Sequence, residues 1–131
     1  MKLTKEDKSL IKRFDNFRKK KCVSGRHSVA AVLVSKSGKI YEGTSMEFDC
    51  GVGVCAERAT LFKMMPDENE IKIIVAGYKE KIGPPCGACR ELMYEMNKKN
   101  LNNTWVIISR TKKLKLKELY PYHWQQAFER K

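Results

Sequence analysis

The residues able to do chemistry are concentrated in two short segments, Cys55-Ala56-Glu57-Arg58 and Pro85-Cys86-Gly87-Ala88-Cys89-Arg90. Cys86 and Cys89 are three apart, which places both thiols on one face of a helix's first turn. Zinc accepts thiolate sulfur at about 2.3 Å in a tetrahedron, so this turn offers two ligands and Cys55, opening another helix, a third. Helix N-termini favour negative charge and help thiols ionise. Three protein ligands leave a fourth position for water, the arrangement of a catalytic rather than a structural zinc. Glu57, two residues after Cys55, points off the ligand face, yet its carboxylate can reach that water. Zinc draws the water's pKa toward ~7, and a carboxylate beside it can pass the proton to a leaving group.

Two plainer readings compete. A four-cysteine structural site would need Cys50 or Cys22 as its last ligand, and Cys50 lies in a loop shortly before Cys55. A redox pair would place C-x-x-C directly after the first strand of a thioredoxin-like unit, and it does not stand there. The ordered pattern C-x-E followed by P-C-x-x-C favours a catalytic zinc.

The elements that must position these residues follow from periodicity. Leu3, Leu10, Ile11, Phe14 and Phe17, with Thr4 and Asp7 at a helix start, predict a helix over 4–21. SVAAVLVSK (28–36), a Ser37-Gly38-Lys39 turn and residues 40–44 predict a β-hairpin, and 45–54 a loop. CAERATLFKMM (55–65) predicts a helix with Ala56, Leu61, Phe62 and Met65 on one face, ending before Pro66. Residues 70–79 read as a buried strand, 86–100 as a helix with Leu92, Met93 and Met96 inward, and 104–110 as a strand. The tail gives a short strand around 114–116, a turn at Pro121 and a final helix. Met64, Met65, Met93 and Met96 read as core packing. Strands alternating with helices predict an α/β fold, a mixed sheet with helices on both faces.

Composition narrows the setting. A chain of 131 residues is the size of one domain, with 42% hydrophobic and 32% charged residues. No run approaches the ~20 apolar residues of a membrane span, and the charged N-terminus has no signal-peptide core, so a cytoplasmic address is expected. Five cysteines without an export signal argue against a disulfide framework, and Cys22 and Cys50 read as free thiols. The net charge of +12 is spread along the chain, which predicts solvated faces and a small-molecule rather than a nucleic-acid partner. His27 reads as exposed or structural.

At the two cysteine segments the chain resembles the cytidine deaminase family, in particular its three-cysteine branch, whose members usually form homotetramers. CAER (55–58) and PCGACRE (85–91) are similar to the family's zinc motifs. SVAAVLVSKSGKIYEG (28–43) is similar to its first hairpin, and LKELYPYHWQQAF (116–128) to its C-terminal leucine-proline-aromatic segment. The resemblance implies a three-layer α/β/α fold with a five-stranded mixed sheet, residues 1–131 forming one catalytic domain. It implies one zinc per subunit on Cys55, Cys86 and Cys89, Glu57 as general acid/base, and Arg58 hydrogen-bonded to ligand thiolates. Three thiolates around Zn²⁺ leave one net negative charge, which a nearby cation offsets. The implied reaction is attack of water on C4 of a cytosine nucleoside with release of ammonia, a step of pyrimidine salvage. Trp124, beside Tyr122 and His123, would cover a neighbouring subunit's pocket; as ordinary aromatics the three would pack or sit in an interface.

One stretch departs from the family. Its members carry an Asn-x-Glu-Asn ribose-binding loop, and the corresponding residues here are Ser45, Met46, Glu47 and Phe48. Glu47 matches the glutamate, and Ser45 and Phe48 replace the asparagines as substrate-binding candidates. Sites that hydrogen-bond a substrate hydroxyl discriminate strongly, so this change bears on which nucleoside is taken. Residues 28–55 are equally similar to blasticidin S deaminase, which acts on a cytosine nucleoside antibiotic, whereas Arg58 is a feature of ordinary cytidine deaminases. Guanine, adenine and deoxycytidylate deaminases usually have histidine where Cys55 stands. The expected activity is deamination of cytidine, deoxycytidine or a close analogue. The alternatives are a blasticidin S deaminase-like aminohydrolase, a nucleic-acid base deaminase and a structural zinc protein.

Overall fold

A computed structural model describes residues 1–128. Thr4 caps helix α1 (Lys5–Lys21): its hydroxyl accepts the Asp7 N–H at 3.2 Å while the Asp7 carboxylate accepts the Thr4 N–H at 2.8 Å. This reciprocal box satisfies two of the donors a helix start leaves open. The apolar face of α1 buries Leu10, Ile11 and Phe14 against Ala30, Val32, Ile73, Val75 and Ile107. Asp7 also pairs with Lys113 at 2.7 Å, both side chains nearly enclosed.

The sheet runs β2 (Ile40–Thr44), β1 (Val29–Ser35), β3 (Ile71–Tyr78), β5 (Trp105–Ile107), β6 (Lys113–Lys115), with a two-residue β4 (Lys81–Ile82) on the end of β3. Only β3 and β5 are parallel; the other pairs are antiparallel. Neighbouring residues point to opposite faces, so Val32, Val75 and Ile107 meet α1 while Leu33, Ile74 and Val106 join the second core. That second core holds Leu61 and Met64 of α2 (Ala56–Met64), Met93 of α3 (Gly87–Met96) and Leu116 of α5 (Leu116–Leu119). Burial on both faces explains why β1 and β3 are almost continuously apolar. The three-layer α/β/α arrangement with a mixed sheet is the one expected from the sequence.

Several details differ from the sequence reading. The inward face of α2 is Ala56, Glu57, Thr60, Leu61 and Met64, whereas Phe62 and Met65 are 51% and 42% exposed. Met65 stands at the helix end and Phe62 on the far side from the sheet. The helix expected over 86–100 stops at Met96, because Asn97 is extended and its side-chain oxygen accepts the Lys99 N–H. A separate short helix α4 (Asn100–Asn103) follows, its buried Asn100 bonded to Ile71, Asn69 and Met93. The strand expected over 104–110 ends at Ile107. The final helix is a 3-10 turn, Trp124–Phe128, and α5 precedes it unforeseen.

Two close approaches fix α2. Ala31, Ala76 and Ala56 form a small-residue cluster where the helix start meets β1 and β3, and a Cβ added to Gly43 on β2 would lie 2.5 Å from Thr60 Oγ1 and 3.2 Å from its backbone nitrogen. Gly43→Ala is therefore expected to push α2 outward and destabilise the fold by about 1–3 kcal/mol. Urea denaturation measures this, and an unchanged midpoint would contradict the tight contact.

Candidate metal centre

Cys55 is the N-cap of α2 and Cys86 the N-cap of α3, and neither thiol is spent on a capping hydrogen bond. Cys89 lies in the first turn of α3. The loop before Cys55 is pinned by a two-way Met46–Val54 bridge. Gly53 is needed there, because a Cβ would meet the Met46 carbonyl oxygen at 2.6 Å. The two helix starts thus converge, and the sulfurs of Cys55, Cys86 and Cys89 lie within 4.8 Å of one another. Cys89 is buried, Cys55 half-buried and Cys86 exposed, so the cluster opens to solvent on the Cys86 side.

The donor set fits zinc. Sulfurs at tetrahedral corners about 2.3 Å from the metal stand about 3.8 Å apart. Cys86 and Cys89 are already at 3.6 Å, while Cys55 and Cys89 approach to 2.7 Å as a hydrogen-bonded thiol pair and would separate by about 1 Å. The shared hydrogen bond with Cys89, with help from Arg58, brings Cys55 down to about 5, and the same bond pushes Cys89 up. Among the described residues the cluster contains three ligand groups and neither Cys50 nor Cys22. Cys50 is exposed in a left-handed backbone conformation, and Cys22 is half-buried with its thiol pushed up by burial.

Glu57 is 8% exposed on the inward face of α2. Burial raises its carboxyl above the ordinary carboxylate range, and the neighbouring Cys55 charge adds to the effect. Arg58 donates from Nε to Cys55 Sγ at 3.3 Å, and the three cysteine charges hold its guanidinium protonated. A cation is thus placed where ligand charge gathers.

The remaining candidates fall into two groups. Ser45 is buried; its hydroxyl accepts the Val29 N–H at 3.0 Å and donates to Glu47 at 2.5 Å. Glu47 also accepts from the Ser28 N–H at 2.7 Å and from the Ser28 hydroxyl, which lowers its pKa. Those bonds tie the loop to the start of β1, not to the sulfurs, and Phe48 beside them is 63% exposed. His27 faces the same loop, its Nδ1 lying 2.9 Å from the Ser45 carbonyl oxygen. At the other end of the chain, His123 is buried against Tyr94, ring centroids 4.3 Å apart. Tyr122 and Trp124 are exposed, Trp124 meeting Phe128 edge-on.

Sequence reasoning placed Arg90 and Glu91 in the second cysteine segment but gave them no role. Arg90 donates to the Pro85 carbonyl at 2.8 Å and the Leu119 carbonyl at 2.7 Å. Glu91 accepts from Tyr120 and Gln125. Their only sequence signal is adjacency to the second cysteine motif.

Comparison with known proteins agrees with this geometry. Residues 4–103 match the family model described as the cytidine and deoxycytidylate deaminase zinc-binding region. The chain belongs to that family. It is 36% identical over 74 residues to a cytidine deaminase of Halalkalibacterium halodurans, covering 54% of this chain and 56% of the relative. It is 32% identical over 78 residues to a probable cytidine deaminase of Dictyostelium discoideum, covering 56% and 53%. The matches span about half the length of these curated relatives. Among solved structures, cytidine deaminase from Burkholderia pseudomallei superposes with a TM-score of 0.69 at 27% identity, covering 89% of this chain and 96% of that one. The Mycobacterium tuberculosis enzyme superposes at 0.74 with 17% identity over 90% and 97%, which speaks to fold alone.

Elemental analysis is expected to find one zinc per chain. Cys89→Ser should reduce this to a small fraction, and Cys22→Ser and Cys50→Ser should leave it intact. Loss of zinc from the Cys50 variant would instead indicate a four-cysteine site.

Proposed function

We propose that this chain is a zinc-dependent hydrolytic deaminase of a cytosine nucleoside, cytidine, deoxycytidine or a close analogue. The observation that carries the reading is a cluster of three thiols with a buried carboxyl, Glu57, beside it, in a chain of the deaminase family. Residues 1–131 act as one catalytic domain in this reading. Zinc on Cys55, Cys86 and Cys89 supplies the Lewis acidity that makes water a nucleophile near neutral pH.

The chain's own groups do the rest. Glu57, desolvated and raised in pKa, is suited to hold and release a proton during turnover. It takes protons from the water as its oxygen bonds to C4 of the ring. One proton goes to ring N3 and the other to the exocyclic amine, the C4–N bond breaks, and ammonia leaves. Arg58 offsets the excess negative charge of three thiolates. Ser45, Glu47 and Phe48 face the sugar side of the substrate, and Trp124 covers the pocket of a neighbouring subunit in a homotetramer. The setting is pyrimidine salvage in the cytoplasm. Among the described residues no helix is long and apolar enough to cross a membrane.

Glu57→Gln is expected to keep one zinc per chain and to lose about 10²–10⁴-fold in deamination rate. The assay follows loss of the cytosine ultraviolet band with cytidine, deoxycytidine and blasticidin S in parallel. A Gln variant of undiminished rate would remove Glu57 from the chemistry. Turnover of blasticidin S alone would move the substrate to the modified nucleosides.

A further inference from the structure

We infer that Arg90 is a positioning residue for the metal centre, clamping the Pro85–Cys86 turn to the end of α5 so that Cys86 is delivered to the other two sulfurs. The inference rests on the zinc reading above and concerns a residue that touches no ligand sulfur.

The turn before α3 has few means of holding itself. Proline has no N–H, so Pro84 and Pro85 cannot donate to neighbouring carbonyls. The backbone anchor upstream is the Gly83 N–H on the Ala76 carbonyl at 3.2 Å. Cys86, next in line, makes no side-chain capping bond and is exposed. Of the three sulfurs its position is thus the least determined by packing. Arg90 closes this gap, one helical turn beyond Cys86. Its Nε donates to the Pro85 carbonyl at 2.8 Å and its Nη1 to the Leu119 carbonyl at 2.7 Å.

The far end of the clamp is anchored in the core. Leu119 ends α5, whose carbonyls need partners beyond the helix. That helix is rooted by Leu116, fully buried in the core that also holds Met93 of α3. The Leu116 N–H donates to the Thr104 carbonyl at 3.0 Å. One planar guanidinium therefore fixes the ligand turn relative to a core-anchored helix end. A lysine, with a single ammonium point, cannot span the two carbonyls with the same fork. The adjacent contacts from Tyr120 and Gln125 to Glu91 hold the C-terminal segment but do not touch the Pro85 turn.

The test is the rate at which zinc passes from the holo-protein to a chromogenic chelator, measured well below each variant's unfolding temperature. Arg90→Gln and Arg90→Lys are expected to release zinc about tenfold faster than the parent, the low end of what outer contacts of a metal site contribute. Tyr120→Phe, which loosens the C-terminal segment alone, should release it at the parent rate. In metal-free protein, Cys86 should react faster with a thiol reagent in the Arg90 variants than in the parent. Parent-like zinc release in both Arg90 variants overturns the inference, as does equal acceleration by Tyr120→Phe. Should Arg90→Gln not fold, Arg90→Lys carries the comparison. A parent protein that binds no zinc refutes the metal reading itself, a result distinct from a zinc-loaded parent whose Arg90 variants behave normally.

Discussion

Three sulfurs within 4.8 Å are an electrostatic burden, because each is useful to a metal only as a thiolate and thiolates repel. Much of the chain's architecture can be read as a response to that requirement. Two thiols sit at helix N-caps and the third in a first turn, where the peptide dipoles favour negative charge. Arg58 adds a full positive charge at 3.3 Å from Cys55. A divalent cation would complete the neutralisation, and nothing less than +2 balances most of a −3 cluster.

Converging two helix starts on one point also sets demands on the sheet. The start of α2 can approach β1 and β3 because Ala31, Ala76 and Ala56 meet there, and its middle can rest on β2 because Gly43 has no side chain. The same orientation turns Glu57 inward, so the helix that supplies one ligand also supplies a buried carboxyl. The Cys55 sulfur and the Glu57 carboxyl are thereby fixed relative to each other by a two-residue step of backbone. The loop of Ser45, Glu47 and Phe48 is built differently. Its polar groups are engaged with Ser28 and Val29 and its aromatic group is exposed.

What could be read from the sequence was what local spacing controls. Cys86 and Cys89 share a helical turn in any fold, and Thr4 with Asp7 announces a helix start without tertiary help. The hairpin followed from the Ser37-Gly38 turn between two β-branched runs. Features set by partners far along the chain were not legible. Asn100 breaks the region after α3 by bonding Ile71, Asn69 and Met93, none adjacent to it in sequence. Phe62 and Met65 satisfy helical spacing as well as Met64 does, and only the side facing the sheet decides which is buried. The partner of Arg90 at Leu119 lies 29 residues away. Whether Cys50 joined the cluster likewise depended on the path of a loop.

The most direct test of the central claim is zinc K-edge X-ray absorption on the purified protein. Three sulfur scatterers near 2.3 Å with one lighter oxygen or nitrogen neighbour would establish a three-thiolate centre with an exchangeable position. Four sulfurs around the metal, or fewer than three, would contradict it.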